Sequence, residues 1–164
     1  MGNGMARVLA GLAAAGSGAL LLGALAFQYI GGLAPCHLCM YQRYPHVVAV
    51  VIGIVVLALP KRALMYLGAL APLVSAAVGI FHTGVERKWW AGPANCTGSS
   101  SSLSGMSGGD LLSLDTPVNL VMCDQVAWSL GGLSMASWNA IASVILVAIW
   151  IAAARSPQKP RMLL

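Results

Sequence analysis

Charge is what this chain has least of. Nine of its 164 residues are Lys or Arg and four are Asp or Glu, 8% in all, where soluble domains carry roughly 25%. With 59% hydrophobic residues and a mean hydropathy of +0.82, that scarcity excludes a soluble globular domain. The net charge of +5 contains no dense basic run, which argues against nucleic acid as a partner. No internal repeat is present, and a chain this short leaves room for one bundle and no second domain. Haem attachment through C-x-x-C-H is excluded because Met40 follows Cys39. Only four cysteines occur, enough for two disulfides or one metal site.

Long apolar runs are what the chain does have. The first extends from Val8 to Ile30, longer than the roughly 7–15 residues of a signal-peptide core. It is therefore taken as an uncleaved transmembrane helix, although Ala13, Ala14 and Ala15 resemble a cleavage site. The second, His46 to Leu59, is short for a span of roughly 20 residues. Extending it back to Met40 restores the length and places Tyr41 and Tyr44 at the interface, with Pro45 in the tolerant first turns. A third run covers 63–82 and a fourth 135–154, the latter with Trp138 and Trp150 towards its ends as interfacial anchors. The expected architecture is an all-α membrane protein, a four-transmembrane-helix bundle spanning the lipid bilayer over about 8–30, 40–59, 63–82 and 135–154. Two loops, 31–39 and 83–134, lie on one side. All four acidic residues fall in the second loop, and its segment 97–109 is Ser/Gly-rich and reads as flexible. Between Asp110 and Met122 too many apolar residues occur for a solvated linker, so a short surface helix is expected there. The tail from Arg155 is basic and, with Pro157 and Pro160, irregular.

Four spans put both termini on one side, together with Arg7, Lys61, Arg62, Arg155, Lys159 and Arg161; Arg43, Arg87 and Lys88 lie opposite. The positive-inside rule makes the first side cytoplasmic. All four cysteines then face outward, into the kind of oxidising compartment in which disulfides persist.

The stretch PCHLCMYQR, Pro35 to Arg43, lies in the short gap between the first two runs. Its Cys36 and Cys39 can close a small disulfide ring or bind one metal. A helix beginning near Cys39 favours a thiolate there, and Arg43, one turn on, adds a fixed positive charge on the same face. Cys96 and Cys123 form a second pair on the other loop. Structural staples and a four-thiolate zinc site compete with redox chemistry, but Cys96 and Cys123 are 27 positions apart and lack the knuckle spacing of zinc sites. Redox chemistry is favoured, and no metal is expected. His82, ending the third run, is an interfacial polar residue or a partner for a ligand between the helices. Arg43 has a second reading as a lipid-phosphate anchor, but its place one turn after Cys39 favours a role at the thiol. Trp89 and Trp90 read as interface anchors, and His37 either tunes the thiols or merely fills its place.

The sequence resembles the DsbB family of bacterial inner-membrane proteins of disulfide-bond formation. The resemblance rests on C-H-L-C-M-Y-Q-R at 36–43, H-T-G-V-E at 82–86, W-x-G-P-x-x-C at 90–96, C-D-Q-V-A-W at 123–128 and G-L-S-M-A-S-W-N at 132–139. It implies a multi-pass inner-membrane thiol oxidase that draws on the membrane quinone pool, ubiquinone or menaquinone, with its cysteines periplasmic. Cys96 and Cys123 would take electrons from a DsbA-like periplasmic thiol oxidase of thioredoxin fold, Cys96 forming the mixed disulfide. Cys123 would pass the exchange to Cys36, freeing Cys39 as a thiolate facing quinone, with Arg43 and His82 at the quinone site. Two rivals remain at this level. One is a structural or transport protein with stapling disulfides; the other is a thiol reductase running the opposite way, since redox potentials set the direction.

Overall fold

In lipid, a backbone must satisfy its own polar groups, and an apolar run of bilayer length does so as a helix. A computed structural model describes residues 2–93, 96 and 122–157. It contains four such helices: α1 (Gly2–Tyr29), α2 (His37–Ala58), α3 (Arg62–Glu86) and α4 (Met135–Arg155). All four are long and apolar enough to cross a membrane. They run up and down in a closed ring, α1 on α2, α2 on α3, α3 on α4 and α4 back on α1. The Ser/Gly-rich segment and all of the expected surface helix except Met122 lie outside the described residues, as does the tail beyond Pro157.

Three helix ends differ from the hydropathy pattern, the first being that of α1, which starts at Gly2 rather than Val8. α2 starts at His37 rather than Met40, because Cys36 acts as its N-cap and its sulfur accepts the Cys39 N–H at 3.2 Å. α3 continues past His82 to Glu86, since His82, Gly84 and Val85 are buried inside the bundle. The chain then leaves α3 through paired bonds, Lys88 N–H to the Val85 carbonyl and Trp89 N–H to that of Gly84, a Schellman ending. Its left-handed position is held by Lys88 at φ 59°, where glycine is usual.

Before α4 the chain makes a small antiparallel hairpin, β1 (Ser129–Leu130) and β2 (Leu133–Ser134), pairing Ser129 with Ser134 and Leu130 with Leu133. Its two-residue turn needs positive φ at both places, and Gly131 and Gly132 supply 60° and 78°. Ser134 ends the hairpin and caps α4 by accepting the Ser137 N–H.

The end of the bundle away from the cysteines is packed mainly from small apolar side chains. Ala6, Ala10 and Ala13 of α1 pack with Val56, Met65, Ala69, Ala153, Ala154 and Trp150. Trp150 is not the interfacial anchor its position near the end of the run suggested. It is fully buried, lying against Gly68, where an added Cβ would stand 2.7 Å from the indole ring. Bare backbone opposite the ring is what admits so large a side chain.

Candidate active site

Capping by Cys36 turns the start of α2 into a thiol site. Its sulfur lies 2.7 Å from that of Cys39, and neither is bonded into a disulfide. Sulfurs this close favour sharing one proton. The thiol of Cys36 is pushed well up from its ordinary value, first by its hydrogen bond with Cys39 and then by burial, so that proton stays on Cys36. Cys96 and Cys123 form a disulfide with Cα atoms 5.1 Å apart, and the Cys123 N–H donates to the Cys96 carbonyl.

The two pairs meet. Cys36, Leu38, Val85, Cys96 and Cys123 pack in one buried cluster. The sulfurs of Cys36 and Cys123 and a ring nitrogen of His82 all lie within 4.8 Å of one another. Zinc would require thiolates, and here the Cys123 sulfur is bonded to Cys96. The arrangement suits thiol–disulfide exchange, in which a thiolate approaches a disulfide sulfur.

His82 stands at the junction, its Nε2 3.1 Å from the Cys123 carbonyl and 3.6 Å from the Cys36 sulfur. Gln42 fixes which nitrogen carries hydrogen. Its amide nitrogen donates to the Leu38 carbonyl and, at 2.9 Å, to His82 Nδ1, leaving the imidazole hydrogen on Nε2 to donate towards Cys123. The Gln42 oxygen in turn accepts from Asn139 Nδ2 at 2.9 Å. Asn139 Oδ1 can only accept, so His46 donates to it from Nε2 at 3.2 Å, and Ser17 donates to His46 Nδ1 at 3.3 Å. One directed hydrogen-bond chain thus runs Ser17, His46, Asn139, Gln42, His82, Cys123, with Ser75 bridging Asn139 and the Gln42 carbonyl. Buried polar groups in a membrane bundle persist when each finds such partners.

Arg43 reaches across to α1. It donates to Gln28 Oε1 at 2.6 Å and to the Ala24 carbonyl at 3.2 Å, while its charge still acts on Cys39. Both residues line a cavity of about 470 Å³ bounded by all four helices, with Phe27, Trp138 and His82 among its walls. Phe27 also packs on Trp128 at 5.1 Å between ring centroids, tying α1 to the segment after Cys123. Size and mostly apolar lining suit a small-molecule site.

The profile described as "Disulfide bond formation protein DsbB" matches residues 6–153. The chain belongs to the DsbB family. DsbB-family relatives include Disulfide bond formation protein B of Polaromonas naphthalenivorans, 28% identical over 148 residues, covering 85% of this chain and 86% of that protein. Another is Disulfide bond formation protein B 2 of Pseudomonas aeruginosa, 32% identical over 124 residues and 70% of each chain. No solved structure matches the chain. Family membership and four apolar helices make this a multi-pass membrane oxidoreductase of disulfide-bond formation.

For this DsbB-family member the geometry gathers Cys36, Cys39, Cys96, Cys123 and His82 at one junction and sets Arg43 on the adjoining cavity. His37 is not drawn in: it is exposed and stacks on Tyr41 at 5.5 Å. Gln42, His46, Ser75, Asn139 and Glu86 were not singled out from sequence as site residues. A signal was present for two of them, because Gln42 and His46 follow Cys39 at helical spacing inside an apolar run, where polar side chains mark function.

Proposed function

We propose that the protein reoxidises a DsbA-like thioredoxin-fold thiol oxidase in the periplasm and passes the two electrons to a membrane quinone. The supporting observation is the meeting of the two cysteine pairs, Cys123 within 4.8 Å of Cys36 and Cys39 on the large cavity. A partner thiolate attacks Cys96 and displaces Cys123 as a thiolate; the partner's second thiol then releases its own disulfide. Cys123 exchanges with the Cys36–Cys39 disulfide by attack on Cys36, freeing Cys39. Its thiolate is supported by the helix start and by Arg43. Attack of Cys96 on Cys123 restores the outer disulfide and leaves Cys36 as the thiol. The His82 N–H, held towards the Cys123 carbonyl and beside the Cys36 sulfur, steadies negative charge as the sulfurs change partners.

The cavity fits a quinone head: apolar walls from α1 and α4, with the Arg43, His82 and Asn139 side chains as polar groups on its lining. Quinone supplies a two-electron, two-proton acceptor that partitions in the bilayer. The charge distribution supports cytoplasmic termini and periplasmic cysteines. Purified protein mixed with the reduced partner and quinone is expected to oxidise one partner dithiol per quinone consumed, followed by quinone absorbance. Unchanged quinone overturns the proposal, and a partner that becomes reduced from quinol reverses its direction.

A further inference from the structure

Glu86 is the last residue of α3, and its side chain is only 6% exposed. One carboxyl oxygen lies 3.8 Å from His82 Nε2, while the other, Oε2, is buried without a hydrogen-bond partner among the described residues. Such an atom is costly unless a ligand or a proton completes it. Glu86 also lines two cavities. One is the cavity that holds the thiols; the other, of about 430 Å³, is bounded by Arg87, Val126, Ser129, Gly132 and Ser134 at the hairpin. Among the described residues no other lines both.

Resting on the quinone chemistry above, we propose that Glu86 is a catalytic acid that delivers a proton to the quinone and is refilled from water in the hairpin cavity. The proton count calls for such a group. With the shared hydrogen on Cys36, the reduced pair holds one thiol and one thiolate. Forming the Cys36–Cys39 bond releases two electrons and one proton, whereas quinol formation takes two electrons and two protons. The second proton comes from the Glu86 carboxyl, leaving a carboxylate, so that charge and atoms balance; water in the hairpin cavity then reprotonates it.

The other titratable groups are less suited. His82 already holds its hydrogen on Nε2 because Gln42 donates to Nδ1. His46 is bonded to Asn139 and Ser17, and it lines only the large cavity. Arg43 keeps its proton throughout. Facing Glu86 are His82 of α3, Arg87 just beyond its end, Ser134 of β2 and Cys39 of α2, while Arg43 lines the same large cavity.

Glu86→Gln preserves size and removes the exchangeable proton. With both cysteine pairs pre-reduced, quinol formation in one turnover is expected to slow about a hundredfold. Acidification or added small carboxylic acid should restore it in part, while exchange between the partner and Cys96 keeps its rate. Without turnover, the dimethyl ether of the quinol is expected to shift the infrared carboxyl band of the wild-type protein. The band should move with Glu86→Asp and disappear in Glu86→Gln. Should Glu86→Gln not fold, the wild-type and Glu86→Asp spectra decide alone. An unshifted band, or a Glu86→Gln variant with wild-type turnover and pH profile, overturns the inference while leaving quinone reduction intact. A wild-type protein that never reduces quinone overturns the proposed function and this inference with it.

Discussion

The two ends of this bundle are built from the same four helices by opposite means. Away from the cysteines, alanines of α1 and α4 and the bare backbone of Gly68 let helices close around Trp150. Lipid is as apolar as leucine, so cohesion there comes from close contact between surfaces rather than from escape from water. Towards the cysteines, helices are held apart by a cavity and joined by amides, hydroxyls and imidazoles. The difference teaches that stability and chemistry have been given separate addresses along α2, α3 and α4. A residue's height in the bundle therefore forecasts which of the two its loss will affect.

The sharpest break is at the sulfur junction. Cys123→Ser leaves Cys96 a lone thiol with no disulfide for the reduced partner to attack, so turnover should cease. Offered the oxidised partner instead, Cys96 should attack its disulfide and hold a mixed disulfide that Cys123 can no longer release, visible as a shift on a non-reducing gel. If no adduct forms, the outer pair does not face a protein partner. At the other end, Trp150→Ala should lower unfolding free energy by about 3–5 kcal/mol while leaving exchange between Cys123 and Cys36 within about twofold of wild type. Denaturant titration in detergent and quenched single-turnover gels measure the two quantities. Loss of exchange without loss of stability would dissolve the division.

How much of this was legible beforehand follows the same division. Hydropathy marks the four spans because lipid imposes length and self-satisfied backbone, and C-x-x-C with Arg43 marks the thiol site by spacing alone. Trp150 was misplaced because depth along a helix is written in sequence but the face opposite is not; Gly68 on another helix decides it. The Cys36 cap was missed because sulfur is outside the usual Ser, Thr, Asp and Asn set. His82 was visible as a candidate, yet its contact with both Cys36 and Cys123 depends on how α3 is rotated against α2.

Gln42 tests whether the polar chain positions or merely fills. Gln42→Leu leaves His82 Nδ1 without its partner and Asn139 Nδ2 with Ser75 alone, at about 1–3 kcal/mol of stability. With the His82 tautomer released, exchange between the pairs should fall about tenfold, read by the same quenched gels. A variant that loses stability but not rate would reduce Gln42 to packing.

The smallest effect concerns the shared proton. Cys36 has a raised value chiefly through Cys39, so Cys36 remains a thiol at pH values where an ordinary cysteine has ionised. Cys39→Ser removes that sulfur while burial remains. The pH profile of Cys36 alkylation should therefore shift downward, towards the free-thiol value of about 8.5. An unmoved profile would assign the effect to burial alone.

The Cys36 cap has a mechanical consequence. In the proposed exchange, the sulfur that closes the first turn of α2 is also the one that changes covalent partners, so each hand-over would disturb the helix at its root. The amide of Cys39, bonded to that sulfur at 3.2 Å, becomes a gauge of where the electrons are. Its hydrogen exchange should be slow while Cys36 is a thiol and quicken when the sulfur turns towards Cys123, letting the backbone keep time with the shuttle.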